Sequence, residues 1–169
     1  MTVNITVAEG ATAIIGNGAD DDGYLRKLEA LLASQFSDMN IIPNTVSELE
    51  IILSILSEED MRRFNMKYRG FDSATDVLSF PLWEENGKFT PPSDWGSLVL
   101  GDVIICPEAI AENAADANKT FIKELTLVVF HGVLHLVGFD HSDEEGEAVM
   151  WALQVGMVEK FFEVNADDR

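Results

Sequence analysis

Apolar residues recur along the chain with two spacings, one typical of strands and the other of helices. Alternating apolar and polar positions at 3–7 predict a short strand, and the β-branched, apolar run at 46–56 predicts a second. Between them, apolar residues three or four positions apart predict a helix over about 22–37, at the end of an Asp-rich turn that includes Gly23. The chain is therefore expected to begin with the order strand, helix, strand.

A second helix is predicted after Ser57. Its hydroxyl can accept a hydrogen bond from the free N–H groups of a first helical turn, and the acidic residues at 58–60 lie where negative charge stabilises the helix dipole. We expect this helix to end near Gly70.

Two further strands are predicted over residues 76–82 and 97–106, which have the sequences DVLSFPL and SLVLGDVIIC. The polar stretch at 84–96 between them contains two adjacent prolines and two glycines. Because it is too long for a tight turn, we expect a surface loop that joins an antiparallel pair.

The last third of the chain is predicted to be helical. A short helix is expected after Pro107, and residues 120–137 are apolar on almost every side, as in a buried central helix. Ser142 and Glu145 match a capping box, which would open a last helix over about 143–163.

This order of elements predicts an α+β fold, with helices packed on a small mixed four-stranded sheet. The 169 residues suit a single domain, 1–169, with a short tail at about 164–169. Cys106 is the sole cysteine, so no intrachain disulfide can form. No segment has the pattern of a signal peptide or the length of a membrane span. We therefore expect a cytoplasmic protein that has no membrane partner.

The charge of the chain is strongly negative. Eleven Lys and Arg against thirty Asp and Glu give a net charge of −19, which repels polyanions at long range. Four of the eleven cations nevertheless lie within residues 62–69. This cationic segment consists of Arg62, Arg63, Lys67 and Arg69, and it is typical of a solvated helix face unless a phosphate-bearing partner exists.

All three histidines lie in one segment, HGVLHLVGFDH at 131–141. His131 and His135 are four residues apart, so on a helix their Cβ atoms lie about 5–6 Å apart on one face. Gly138 can take the left-handed conformation that ends a helix, which would bring His141 to the same point. A lone histidine in an apolar helix is more often a core residue with a hydrogen-bond partner. Three without partners would be costly to bury, and three imidazoles with an open fourth position are typical of catalytic Zn²⁺. We predict a single zinc ion per chain at this site.

The spacing HxxxHxxGxxH matches the metzincin zinc peptidases and favours a zincin-like fold whose central helix carries the metal ligands. In those enzymes a Glu directly after the first histidine is the general base, and here that residue is Gly132. Peptide hydrolysis by that mechanism is therefore not expected, and a peptidase with a displaced base is the alternative.

Two further segments, YRGFDSATDVLSFP at 68–81 and LGDVIIC at 100–106, complete a resemblance to the YbeY family of bacterial endoribonucleases. It extends over roughly residues 46–160. The resemblance implies a metal-dependent, single-strand-specific endoribonuclease of the cytoplasm, acting in maturation of the 3′ end of small-subunit rRNA, in other rRNA processing and in ribosome quality control. Single-stranded RNA or rRNA, and the ribosome or a small-subunit protein, are the implied partners.

The resemblance also implies roles for individual residues. The zinc ligands of the family fall on His131, His135 and His141, and its cleft arginine falls on Arg69, which we expect to be catalytic. Arg69 could pair with a phosphate and stabilise the charge that grows in the transition state. The family usually has Lys-Asp-x-Pro-Thr-Asp where residues 71–76 are FDSATD, so a cation and a proline are absent beside the cleft.

The general base is not fixed by any residue pattern. Asp140 and Asp143 are near the third ligand, and capping or orientation of a metal-bound imidazole suits them better than proton transfer. Arg63 and Lys67 are four apart, so on a helix they would share a face leading to Arg69. We therefore expect the cationic segment and the zinc to form the phosphate-binding surface.

Three functions are compatible with these residues. The chain could be a metallo-endoribonuclease for rRNA, a zinc-dependent hydrolase of another substrate such as a peptide, or a non-catalytic ribosome-assembly factor whose zinc braces the fold. Cleavage of RNA, cleavage of peptides, and unfolding on metal removal distinguish the three.

Overall fold

The computed structural model describes residues 1–8, 21–141 and 143–163, with the side chains of Asp21 and Asp22 excepted. The predicted tail at 164–169 and Ser142 of the predicted capping box lie outside the described residues. The elements, in chain order, are β1 Thr2–Val7, α1 Asp21–Met39, β2 Glu48–Ile55, α2 Glu58–Arg69, β3 Val77–Pro81, β4 Glu84–Glu85, β5 Lys88–Phe89, β6 Ser97–Ile105, α3 Pro107–Asp116, α4 Phe121–Leu136 and α5 Glu144–Glu163.

Four strands form the main sheet in the order β1-β2-β6-β3. The β1–β2 and β2–β6 pairs are parallel, whereas β3 pairs with β6 in the antiparallel direction, with Val77 opposite Ile105 and Pro81 opposite Gly101. The predicted α+β fold with a mixed four-stranded sheet is confirmed, and so is the antiparallel pairing across the long connection.

The connection between β3 and β6 is more ordered than predicted. It contains a small hairpin, β4 and β5, joined by Asn86 and Gly87, whose φ angles are 53° and 73°. Two consecutive positive φ angles at Asn-Gly are typical of the tight turn that fits the twist of a two-stranded ribbon. The prediction of a plain surface loop at 84–96 was therefore wrong over 84–89.

Local hydrogen bonds explain where two of the predicted elements begin and end. The strand predicted from residue 46 begins at Glu48, because Val46 donates to Pro43 in a turn, N to O at 2.9 Å. Helix α2 follows the prediction: Ser57 accepts a hydrogen bond from the N–H of Asp60 at 3.3 Å, and Gly70 ends the helix at a φ of 79°.

Helix α4 is the centre of the molecule, as its apolar sequence predicted. It contacts β3 and β6 on one side and α3 and α5 on others, and Phe130, Val133 and Leu134 are fully buried. Its one buried hydroxyl, on Thr126, donates to Ile122 O at 2.7 Å and lies 3.0 Å from the Tyr24 hydroxyl of α1. In the part of the chain that the structure describes, no helix has the length and apolar character to cross a bilayer.

Candidate metal centre

The three histidines converge at the C-terminal end of α4. His131 and His135 lie on one face of the helix with ring centroids 4.7 Å apart, and His141 lies 5.7 Å from the first ring and 5.1 Å from the second. One nitrogen from each ring can be chosen so that all three lie within 4.8 Å of one another. The structure thus brings together the three residues that the spacing singled out.

The turn after α4 depends on Gly138, which has a φ of 86°. Its N–H donates to His135 O at 3.1 Å, and the next N–H, of Phe139, donates to Leu134 O at 3.1 Å. A Cβ at this position would lie 3.0 Å from the backbone N of Phe89 in β5. The β4–β5 hairpin therefore packs against the turn that carries His141, and only glycine fits between them.

Hydrogen bonds at the back of the rings fix which nitrogens face the site. His131 donates from Nδ1 to Gln154 Oε1 at 2.9 Å, because the amide oxygen can only accept. His135 has a hydrogen bond to the backbone of Phe139 that raises its pKa, as a bond donated by the ring does. The two Nε2 atoms that remain face each other 3.1 Å apart.

A metal ion fits this arrangement of donors. Two nitrogens bound to one zinc at about 2.0–2.1 Å in tetrahedral geometry would lie about 3.3 Å apart, close to the 3.1 Å between the two Nε2 atoms. Two lone pairs directed at each other repel unless a cation lies between them. Imidazole donors suit zinc and several other transition metals, and three protein ligands leave a coordination position for a reactant.

The electrostatics of the site keep His135 neutral. Burial, together with repulsion from His131 and His141, lowers the pKa of His135 to about 4, against the opposing effects of Asp140 and of the hydrogen bond with Phe139. The neutral imidazole is the form that binds a metal. At neutral pH the central ligand is therefore ready for an ion.

The histidines line a cleft of about 430 Å³ between α4 and the end of α2. Arg69 and Tyr68 contribute to its wall, together with residues of β3. Within the described residues no carboxylate pairs with Arg69. A guanidinium left free beside a candidate metal site can bind an anionic group there.

The other cations of the cationic segment do not line this cleft. Arg62 donates to both carboxylate oxygens of Asp72, at 2.7 and 2.9 Å. These hydrogen bonds and the positive charge of Arg62 hold the pKa of Asp72 below its usual range. Arg63 pairs with Glu59 and Asp60. Only Arg69 of the four cations therefore lines the histidine cleft, and two of the others are paired with neighbouring acids, so a phosphate-binding surface made of the whole segment stays a prediction.

Two polar residues at the site were not identified from the sequence. Gln154, 4% exposed, supports His131 from α5. Asp76 precedes β3 and accepts hydrogen bonds from Thr75 at 3.2 Å and Asn113 at 3.1 Å. A signal for Gln154 existed, since it occupies a helical stripe whose other members are apolar, namely Met150, Met157 and Phe161.

Gly132, where a metzincin has its catalytic Glu, faces the sheet. A Cβ there would lie 2.8 Å from Val103 Cγ1 and 3.1 Å from Val77 Cγ2. The carbonyl of Gly132 accepts a hydrogen bond from Ser79 Oγ at 3.0 Å. Close packing between α4 and the sheet thus leaves no room for a glutamate side chain at the position of the peptidase base.

The acids near the third histidine make local hydrogen bonds. Asp140 accepts from the N–H of His141 at 2.8 Å, and Asp143 accepts from the N–H of Gly146 at 2.7 Å in the first turn of α5. The contact of Asp143 agrees with the capping role expected of it, whereas orientation of a metal-bound imidazole by Asp140 stays a prediction. Cys106 is fully buried, and burial raises the pKa of its thiol.

Comparison with known proteins points in one direction. The family model described as Endoribonuclease YbeY matches residues 17–162. A protein of that name from Mycolicibacterium gilvum is 37% identical over 134 residues, which cover 79% of this chain and 74% of that protein. Another, from Geobacillus thermodenitrificans, is 39% identical over 127 residues, which cover 71% of this chain and 78% of that protein.

Two further similarities involve Thermotoga maritima. Its Endoribonuclease YbeY is 38% identical over 105 residues, and the match spans 62% of this chain and 62% of that relative. The solution structure of TM1509 from the same organism superposes with a TM-score of 0.59 at 27% identity, covering 99% of this chain and 95% of that one.

Proposed function

Because the chain belongs to the endoribonuclease YbeY family, we propose that it is a zinc-dependent endoribonuclease that cleaves phosphodiester bonds in single-stranded RNA. The observation that carries the proposal is the convergence of three imidazoles and Arg69 on one cleft. Hydrolysis of a phosphodiester requires an activated water and stabilisation of negative charge on the phosphate. The cleft offers residues for both.

The roles of the residues follow from their positions. His131, His135 and His141 would hold the ion, which when bound supplies the Lewis acidity that activates water near neutral pH and polarises a phosphoryl oxygen. Gln154 holds the ring of His131 in place and keeps its Nε2 free of hydrogen. Arg69 binds the non-bridging oxygens of the phosphate and stabilises the charge that develops on them.

The cellular role proposed here rests on the family. We assign the chain to rRNA processing in the cytoplasm, with maturation of the 3′ end of small-subunit rRNA and ribosome quality control as its tasks. A ribosomal or small-subunit protein is the expected partner. A peptidase function is disfavoured, because Gly132 packs on the sheet where a catalytic Glu would have to project.

The experiment compares wild type with His131→Ala on single-stranded RNA, on the same RNA in a duplex, and on a peptide library. We expect wild type to cleave the single strand in preference to the duplex, and to leave peptides intact. His131→Ala should lose cleavage while its far-UV circular dichroism is unchanged. Peptide cleavage would indicate a different hydrolase. Loss of helix when the metal is chelated, without turnover of any substrate, would indicate an assembly factor braced by the ion.

A further inference from the structure

An endonuclease cuts inside a strand, so its substrate must extend away from the reacting phosphate on both sides. The histidine site meets this requirement, because two clefts adjoin it. The first, of about 430 Å³, contains all three histidines, and the second, of about 440 Å³, contains His131 and His141. Asp76 also lines both. The two clefts therefore meet at the candidate metal centre.

An exposed aromatic ring lies in the first cleft. Tyr68 is 51% exposed although its neighbours hold it firmly: the ring of Phe64 is 5.6 Å away and that of Phe80 is 5.0 Å away, edge to face. The ammonium group of Lys67 lies 4.8 Å from the centre of the Tyr68 ring. Because the ring is braced, little conformational freedom is lost when a ligand stacks on it.

An exposed aromatic ring lies in the second cleft as well. Trp151 projects from α5, is 58% exposed, and lines the cleft beside Met150 and Leu127. The lysine of this cleft, Lys119, is paired with Glu124 at 3.1 Å. The second cleft thus offers an aromatic surface and little free positive charge.

Aromatic rings can bind RNA without attracting its phosphates, which suits so acidic a protein. With a net charge of −19 the protein repels phosphates at long range, whereas stacking of a nucleobase on an aromatic side chain needs no charge and works with every base. A base in a duplex is already stacked and paired, so only an unpaired base can use such a surface.

We propose that single-stranded RNA crosses the histidine site from one cleft to the other, with the base on one side of the cleaved phosphate stacked on Tyr68 and a base on the other side stacked on Trp151. This inference rests on the proposed function and adds to it the two residues that hold the strand. Lys67 leaves the Tyr68 ring when the base binds and pairs with a neighbouring phosphate.

The test uses single-turnover cleavage of an RNA oligonucleotide that wild type cuts at one position, and of two versions that carry abasic nucleotides on the 5′ or the 3′ side of that position. The variants are Tyr68→Ala, Tyr68→Phe, Trp151→Ala and Trp151→Phe. Trp95→Ala is the control, since Trp95 is 49% exposed but lines neither cleft.

We expect each alanine variant to cleave the intact RNA at subsaturating protein about 5- to 150-fold more slowly, the range that one lost base–aromatic stack produces. The phenylalanine variants and Trp95→Ala should stay near the wild-type rate. On the abasic substrates the deficit of Tyr68→Ala should vanish on one side only, and that of Trp151→Ala on the opposite side.

Several results would overturn the inference. Alanine variants that cleave at the wild-type rate, or deficits that persist on both abasic substrates, would show that the rings do not stack on bases. For Trp151, such a result would favour contact with a protein partner instead. Deficits that vanish on the same side would contradict a strand crossing the site. If wild type cleaves no RNA at all, the proposed function itself fails, which the intact substrate reveals before any variant is compared.

Discussion

Gln154 determines which nitrogen of His131 faces the site, through the hydrogen bond from Nδ1 to its Oε1 at 2.9 Å. Loss of such a partner frees the ring to rotate and lowers the basicity of the nitrogen that binds the metal. We expect Gln154→Leu to weaken zinc binding about 10- to 100-fold, the range for removal of a hydrogen-bond partner behind a ligand. Gln154→Glu, which keeps an acceptor at this position, should bind as tightly as wild type. Competition with a chromophoric chelator measures both, and equal affinity in Gln154→Leu would disprove the role.

Arg69 differs from its neighbours in the cationic segment because it lines the histidine cleft and, within the described residues, pairs with no carboxylate. Arg69→Ala should slow single-turnover cleavage about 100-fold, the effect of removing one group that stabilises transition-state charge, while RNA affinity changes much less. Arg63→Ala is the matched control, because Arg63 is already paired with Glu59 and Asp60. Its cleavage rate should equal that of wild type. A wild-type cleavage rate in Arg69→Ala would show that Arg69 has no role in the mechanism.

At the scale of elements, the site depends on how closely α4 approaches the sheet at Gly132. Gly132→Ala places a methyl group 2.8 Å from Val103 Cγ1, so we expect the free energy of unfolding to fall by about 1–3 kcal/mol, the usual cost of overpacking. Gly156→Ala on α5 is the control, since its Cβ would meet nothing within 4 Å and alanine favours the helix by about 0.5–1 kcal/mol. Urea denaturation measures the free energy of unfolding of both variants. An equal decrease in the two would contradict close packing at residue 132.

The elements also show how far the sequence predicts the structure. The spacing of apolar residues and the capping residues predict every described helix, and every strand of the main sheet, to within a few residues, because these signals are local. The parallel pairing of β2 with β6 was not predictable, since it depends on contacts between distant segments. The β4–β5 hairpin has a local signal in Asn86-Gly87, but the length of the whole connection favours a loop over a turn. The histidine site was predictable since all three side chains lie within one helix and its turn, whereas Gln154 reaches the site from another helix.

In the molecule as a whole, the net charge opposes RNA binding, whereas the histidine cleft is proposed to bind RNA. The protein carries a net charge of −19, and in the cationic segment only Arg69 and Lys67 are left by the ion pairs of the described residues. With one or two phosphate contacts, the slope of log affinity against log salt should lie between about −0.7 and −1.4 for a single strand. Fluorescence anisotropy across a salt series measures it. A much steeper slope would mean that many phosphates are bound, by a surface other than the histidine cleft.

We propose that His131, His135 and His141 hold one metal ion that the protein needs to cut RNA. The decisive experiment removes metal from the protein with a chelator, titrates zinc back, and records bound zinc, RNA cleavage and far-UV circular dichroism in the same samples. Wild type should recover cleavage in proportion to bound zinc and saturate at a single ion per chain, with an unchanged spectrum throughout. His135→Ala should bind little zinc and recover no cleavage. Cleavage by the metal-free protein, or full zinc occupancy in His135→Ala, would show that the three histidines do not hold a metal ion needed for cleavage.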